Sequence, residues 1–248
     1  MIRLLDVALA IFCVTISGMT SAAAPPTVLI TGANRGIGLE YARQFAAKGY
    51  NVVGTVRDPA DAKELSEVAD RVELLDVVDA TSVAALARRL DGVPIDILVN
   101  NAGMLDRKDV TVDKVDFAIM EQTLAVNTLG PLRVTQVLMP NLRAGKRRII
   151  VNMSSELGSI EHSNGRWYAY RTSKAALNQI TKTMSVELAP EGFVCVVLHP
   201  GWVRTDMGGA TATYSPHESV AGLVAVIEKL VPTDNGRFYD FKGTPIPW

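Results

Sequence analysis

The feature that most limits what this chain can fold into is a regular alternation of two hydrophobic periods. Short β-branched runs read as strands at 27–31, 51–56, 72–75, 95–100, 148–153, 194–198 and 237–239. Longer amphipathic runs between them read as helices at 36–48, 59–69, 82–90, 117–142, 168–188 and 216–230. Strands that alternate with helices specify a mostly parallel sheet with helices on both faces. Parallel neighbours need right-handed crossovers. The pattern therefore predicts an α/β fold: a single-domain, Rossmann-like, doubly wound parallel sheet over 27–248. No linker, repeat or low-complexity segment interrupts it.

Composition narrows the function. The formal net charge is -1, and no long basic run offers a nucleic-acid surface. Two cysteines, Cys13 and Cys195, are too few for a disulfide framework or a thiolate metal site. His162, His199 and His217 lack metal-ligand spacing, so no metal is expected. Residues 1–26 stand apart as a leader. Arg3, an apolar run from Leu4 to Met19 and a small-residue end resemble a secretory signal, although Asp6 interrupts it and the run is short for a membrane span. The alternative is that Met19 is the true start. A start at Met19 fits a cytoplasmic protein, and export or membrane anchoring through residues 1–24 is the other reading.

Gly32, Ala33, Asn34, Arg35, Gly36, Ile37 and Gly38 fall between the first strand and the first helix. Glycines there permit a tight turn and let backbone N–H groups approach a pyrophosphate at the helix N-terminus. A plain strand-to-helix turn is the bland alternative. An acid at the end of the second strand would grip the ribose of NAD. Val56 holds that place here, followed by Arg57, with Arg35 in the turn. Two guanidinium groups favour the 2′-phosphate of NADP(H), with NAD(H) still open. Asp58, before Pro59, reads as a helix cap.

Tyr170 and Lys174 lie four apart at the start of a long helix, so they share one face. A tyrosine hydroxyl near its usual pKa of about 10 is a poor base at neutral pH. Bringing it to about 7 takes roughly 4 kcal/mol, which a nearby ammonium and a positively charged nicotinamide could supply together. In the reducing direction Tyr170 would give its proton to a carbonyl oxygen, with Ser155 stabilising the developing charge. On spacing alone the pair reads first as an ordinary helix-surface contact.

Taken together, these motifs resemble the short-chain dehydrogenase/reductase family from Thr27 to the C-terminus. The resemblance places Asp76 and Val77 near the adenine, and Asn101, Ala102 and Gly103 against the cofactor after the fourth strand. It places Asn127, Ser155, Tyr170 and Lys174 in the catalytic set, with Asn127 holding a water that links Lys174 to solvent. Pro200, Gly201, Val203 and Thr205 fall at the nicotinamide. Tyr170 follows Ser155 by fifteen positions, a longer loop than the family's usual spacing, and Ser154 is a rival for the serine. That loop, 159–167, with residues 171–178 and the ending from Gly236 to Trp248, is similar to C-factor-type and sniffer-type carbonyl reductases.

The segment from Trp202 to Tyr214 is short for this family's substrate lid, which implies an open or shallow pocket for a small or extended carbonyl or alcohol substrate. Met104, Leu157, Trp167, Trp202 and Met207 are candidate apolar walls, and each is equally readable as packing. His162 reads as a solvated loop residue, while His199 and Cys195 read as structural. The family resemblance implies a homodimer or tetramer through the helices at 117–142 and 168–188, with a monomer left open by the longer loop. The function expected is NADP(H)-dependent carbonyl reduction or alcohol oxidation. The alternative is a nucleotide-binding signalling or redox-sensing protein with little turnover.

Overall fold

A computed structural model describes residues 24–106 and 110–248; most of the leader lies outside the described residues. Seven strands form one parallel sheet: β1 (Thr27–Ile30), β2 (Asn51–Val56), β3 (Arg71–Leu74), β4 (Ile97–Asn100), β5 (Ile149–Met153), β6 (Val194–His199) and β7 (Phe238–Asp240). Their order is β3-β2-β1-β4-β5-β6-β7. The chain leaves β1 towards β2 on one side and later returns to β4 on the other. The crevice between the C-terminal ends of β1 and β4 is therefore the point where the strand order reverses, the place where open parallel sheets bind ligands.

The helices are α1 (Gly36–Ala47), α2 (Lys63–Ser66), α3 (Ala80–Arg89), α4 (Phe117–Leu124), α5 (Gly130–Ala144), α6 (Tyr168–Leu188) and α7 (Pro216–Lys229). They cover both faces of the sheet, because successive strand residues point to opposite sides. In β1, Val28 and Ile30 enter a core with Leu39, Ala42 and Phe45 of α1 and Leu223 and Ile227 of α7. Leu29 enters the opposite core with Leu86 of α3, Leu138 of α5 and Met184 of α6.

Besides shifts of one or two residues at element ends, two of the expected helices differ from the periodicity. The expected helix at 59–69 is a 3-10 turn, Pro59–Ala62, followed by the single turn α2. The expected helix at 117–142 is α4, a π-helical turn Ala125–Leu129, and α5. The strand expected from Arg148 begins at Ile149, since Arg148 takes φ 51, outside the β region.

Asp96 ties the N-terminal edge of the sheet together. Its buried carboxylate accepts from the backbone N–H groups of Thr27 (2.8 Å), Lys146 (2.8 Å) and Arg147 (3.2 Å). Replacing it leaves three donors without their acceptor. Asp96→Ala is expected to cost about 3 kcal/mol, as orphaned buried donors cost roughly 1–3 kcal/mol each and water reaches part of this edge. A denaturant titration checks it: the midpoint should fall with the slope unchanged.

Candidate active site

The glycine turn is shaped by close contacts. Gly32 has φ +63, and a Cβ there would lie 3.0 Å from the Ala102 Cα. A Cβ on Gly38 would lie 2.2 Å from the Gly32 carbonyl oxygen, a separation no side chain tolerates. The turn is braced from β4. Asn101 donates its side-chain amide to the carbonyls of Thr31 (2.9 Å) and Gly32 (3.0 Å), while the Thr31 hydroxyl accepts from the N–H groups of Asn101 and Ala102, both at 3.0 Å. The Ala33 N–H donates to the Thr55 carbonyl at 2.8 Å. Asn101 thus holds the turn with its side chain and approaches the crevice with its backbone. Arg35 begins α1 with no side chain capping its first N–H groups, so the helix presents them, with its positive dipole end, towards the crevice. Ile37 is partly buried against the core below, and Asn34 is partly buried within the turn.

At the adenine end Val56 is buried, and Arg57 is exposed at the tip of β2. Asp58 caps the 3-10 turn, accepting from the Ala60 N–H at 2.9 Å, so no acid stands free at the end of β2 to take a ribose hydroxyl. Arg35 is exposed and pairs with Asp206 at 3.0 Å, joining the glycine turn to the segment after β6. Asp76 receives the Val78 N–H on its carboxylate and gives its own N–H to Ser82. The Val77 side chain is buried against Gly130, where a Cβ would come within 2.9 Å of it.

The π-helical turn carries Asn127 at its centre, fully buried. One extra residue in the turn rotates the helix and directs this amide inward, as such bulges commonly do at sites. Asn127 accepts from the Met104 N–H (2.8 Å) and donates to the Met104 carbonyl (2.9 Å) and the Ser173 hydroxyl (3.0 Å). Gly103 lies between these groups. A Cβ on it would be 3.4 Å from Asn127 Oδ1 and 3.8 Å from Lys174 Nζ.

Lys174 is buried, and its ammonium donates to the Met153 carbonyl at 2.8 Å. Burial pulls its pKa down to about 8. Its Nζ sits 5.7 Å from the centroid of the Tyr170 ring. Burial drives Tyr170 up to about 12, and a hydrogen bond with Ser155 pulls partway back. The sequence led us to expect a lowered tyrosine pKa. With the protein's own groups alone desolvation wins, so Tyr170 is a firmly protonated acid at neutral pH. The two serines also separate. Ser154 is tied down by Asn178 at 2.7 Å, whereas Ser155 faces Tyr170 and accepts from the Leu157 N–H at 3.2 Å.

On the far side of the crevice Ser219 holds the Pro200 carbonyl at 2.6 Å. Gly201 has φ +80 and packs under Tyr214 and Phe241. Val203 is buried and bridges to Tyr214, which closes the 202–214 segment on itself. The Thr205 methyl lies 3.3 Å from where a Cβ on Gly36 would be. The segment after β6 therefore lies directly over the glycine turn. Trp202 is exposed, with its indole N–H bonded to the Gly208 carbonyl at 2.8 Å. His162 pairs with Glu156 at 3.1 Å, and Cys195 is buried. Sequence reasoning gave no role to Thr55, Asn178 and Ser173, which position the turn, Ser154 and Asn127; Asn178 follows Lys174 by one helical turn.

The cradle of backbone N–H groups, Val56 in place of an acid at the end of β2, and the half-buried Tyr170 beside the buried Lys174 define a nicotinamide-nucleotide oxidoreductase site. The chain belongs to the short chain dehydrogenase family, whose model matches residues 26–214. A dehydrogenase from Rhodococcus sp. (strain AD45), 1-hydroxy-2-glutathionyl-2-methyl-3-butene dehydrogenase, is 34% identical over 90% of this chain and 99% of its own. The C-signal protein of Myxococcus xanthus is 49% identical over 62% of this chain and 93% of its own. Among solved structures, the carbonyl reductase Sniffer of D. melanogaster superposes with TM-score 0.85 at 35% identity, covering 90% of this chain and 100% of that one. An NADPH-bound carbonyl reductase from chicken fatty liver gives TM-score 0.83 at 35% identity, covering 90% and 99%.

The contact at Gly38 generates a test. Gly38→Ala should abolish NADPH binding, read as loss of cofactor fluorescence enhancement. It should also lower the thermal midpoint by several degrees, since the Gly32 carbonyl and the Asn101 amide must both shift.

Proposed function

We propose that this chain reduces a carbonyl compound with NADPH, and that Tyr170 is its proton donor. The observation that carries the reading is the pair itself: Tyr170, hydrogen-bonded to Ser155, with the buried Lys174 ammonium 5.7 Å from its ring centroid. NADPH, when bound, supplies the hydride. The N–H groups opening α1 would hold its pyrophosphate, with Gly32, Gly36 and Gly38 giving the room, and Arg35 and Arg57 would hold its 2′-phosphate. Asp76, Val77, Ala102 and Gly103 would line the adenine and ribose, and Pro200, Gly201, Val203 and Thr205 the nicotinamide.

In the reaction Tyr170 transfers its proton to the carbonyl oxygen as that oxygen gains negative charge. Ser155 donates a hydrogen bond to the same oxygen. Lys174 stabilises the tyrosinate left behind. Asn127, through the Met104 backbone and the Ser173 hydroxyl, keeps a polar route open for the returning proton. A small carbonyl or alcohol substrate, cytoplasmic NADPH as the reductant pool and pairing of α4, α5 and α6 with a second copy complete the proposal. Among the described residues no helix is long and apolar enough to cross a membrane. The likeness to the C-signal protein favours one second reading, nucleotide binding in a signalling role with little turnover.

NADPH consumption with a panel of aldehydes, ketones and quinones separates the two readings. Steady turnover supports the reductase, and NADPH binding without turnover supports the signalling protein. Tyr170→Phe should lower kcat at least about a hundredfold, the usual worth of a positioned acid. The pH profile has a definite sign. Lys174 is an ammonium below about 8 and loses its proton above. The rate of reduction should therefore hold up to pH 8 and fall beyond it, and Lys174→Met should remove that descending limb along with most of the activity.

A further inference from the structure

Beside the edge strand β7 lies a cavity of about 500 Å³, lined by none of the crevice residues described above. Its walls come from three places. α6 gives Lys182, the segment before β7 gives Thr233 and Arg237, and β7 with the chain after it gives Phe238, Ile246 and Trp248. Lys182 follows Lys174 by two helical turns, about 12 Å along α6. Fixed contacts hold the cavity open. Asn235 ties the segment before β7 in place, donating to the Ser185 carbonyl at 2.7 Å and accepting from the Cys195 N–H at 2.9 Å. Gly236 takes φ +74, and a Cβ there would lie 2.6 Å from Ser185 Oγ and 2.9 Å from Lys182 Nζ. Glycine therefore lets the Lys182 ammonium lie against the backbone, where it donates to the Gly236 carbonyl at 3.5 Å. The indole of Trp248 leans on the Phe238 ring, with centroids 5.7 Å apart. The Trp248 carbonyl accepts from the Ser159 hydroxyl and the Glu161 N–H, at 3.3 and 3.2 Å. Trp248 is thus anchored, yet 39% of it is exposed.

Charge decides what such a cavity takes. Two cations line it, and among the described residues no aspartate or glutamate does. Neither Lys182 nor Arg237 forms an ion pair among the described residues. The acids three positions either side of Arg237 are engaged elsewhere. Asp234 accepts from the Tyr239 hydroxyl at 2.8 Å and the Val231 N–H at 2.9 Å. Asp240 accepts from the N–H groups of Lys242 and Thr244, both at 2.8 Å. An anion that enters is therefore attracted by two charges that have no counter-charge of their own. We propose that this cavity is a second binding site, for an organic anion with a flat ring: a carboxylate or sulfonate on an aromatic body. Arg237 and Lys182 take the acidic group, and Trp248 with Phe238 takes the ring. Pockets of roughly 300–1,000 Å³ hold small-molecule ligands, so the volume suits this class. The site is separate from the chemistry proposed at Tyr170 and stands whether or not that chemistry does.

Calorimetry on the full chain with 2-naphthoate tests it, with NADP+ at saturation to fill the crevice. One site per chain is expected, and 2-naphthamide, the neutral isostere, should bind at least about tenfold more weakly. Lys182→Gln and Arg237→Gln should each weaken 2-naphthoate about tenfold, and Arg237→Lys, which keeps the charge, should recover most of that loss. Both side chains are exposed, so the thermal midpoint should not move. Trp248→Ala should weaken binding about fivefold through the lost ring contact. Tyr170→Phe should leave the affinity unchanged. Equal binding of amide and carboxylate, no binding at millimolar concentration, or a loss in Tyr170→Phe with none in the Lys182 and Arg237 variants would overturn the site. So would a halved mass in light scattering on saturation, which would make the cavity an interface between two copies.

Discussion

The site depends on one buried cation. Lys174 sits within the fold, paired not with a carboxylate but with the Met153 carbonyl at the end of β5. A dipole compensates an ammonium less fully than a counter-charge, and the lowered pKa registers the difference, about 3 kcal/mol in favour of the neutral form. The lysine still carries its proton at neutral pH. An anion that forms within its reach, as a tyrosinate would, meets a charge that has not already been neutralised. A carboxylate partner would have made the fold more comfortable and the cation less available. The π-helical turn at Asn127 belongs to the same arrangement: it gives up regular helix to bring one amide to the Met104 backbone and Ser173 beside this lysine.

The frame that presents these groups is set by contact distances rather than by charge. Gly38 against the Gly32 carbonyl, Gly32 against Ala102 and Gly36 against Thr205 fix β1, β4 and the segment after β6 around one crevice. These constraints were legible in the sequence because they are steric. Only glycine satisfies them, so the residue names the geometry. The parallel sheet was legible for a similar reason, since buried strands need β-branched runs and crossovers need amphipathic helices. Val56 at the end of β2 was legible too, whereas the part played by Asp58 two residues on needed the structure, which shows it capping the next turn.

What escaped the sequence was long-range or conformational. The Arg35–Asp206 pair joins residues 171 positions apart, and no local pattern announces it. The break at Ala125–Leu129 lies inside an apolar repeat that reads as one helix, because a π turn changes register without changing composition. The different settings of Ser154 and Ser155 come from Asn178, which holds the first, while the second is hydrogen-bonded to Tyr170. The spacing of Tyr170 and Lys174 placed both on one face, but it carried nothing about desolvation, which raises the tyrosine's pKa while no cofactor charge is beside it.

That sign bears on direction. Tyr170 near 12 and Lys174 near 8 form a pair loaded with protons at neutral pH. Such a pair gives up a proton readily only when something nearby becomes more basic, which is what a carbonyl oxygen does as hydride reaches its carbon. Running the reaction the other way requires the tyrosine to begin as an anion, and neither Ser155 nor Lys174 holds it there unaided. Both protons are thus in place for the reducing direction. Alcohol oxidation would need the positive charge of the oxidised nicotinamide to supply what burial has taken away.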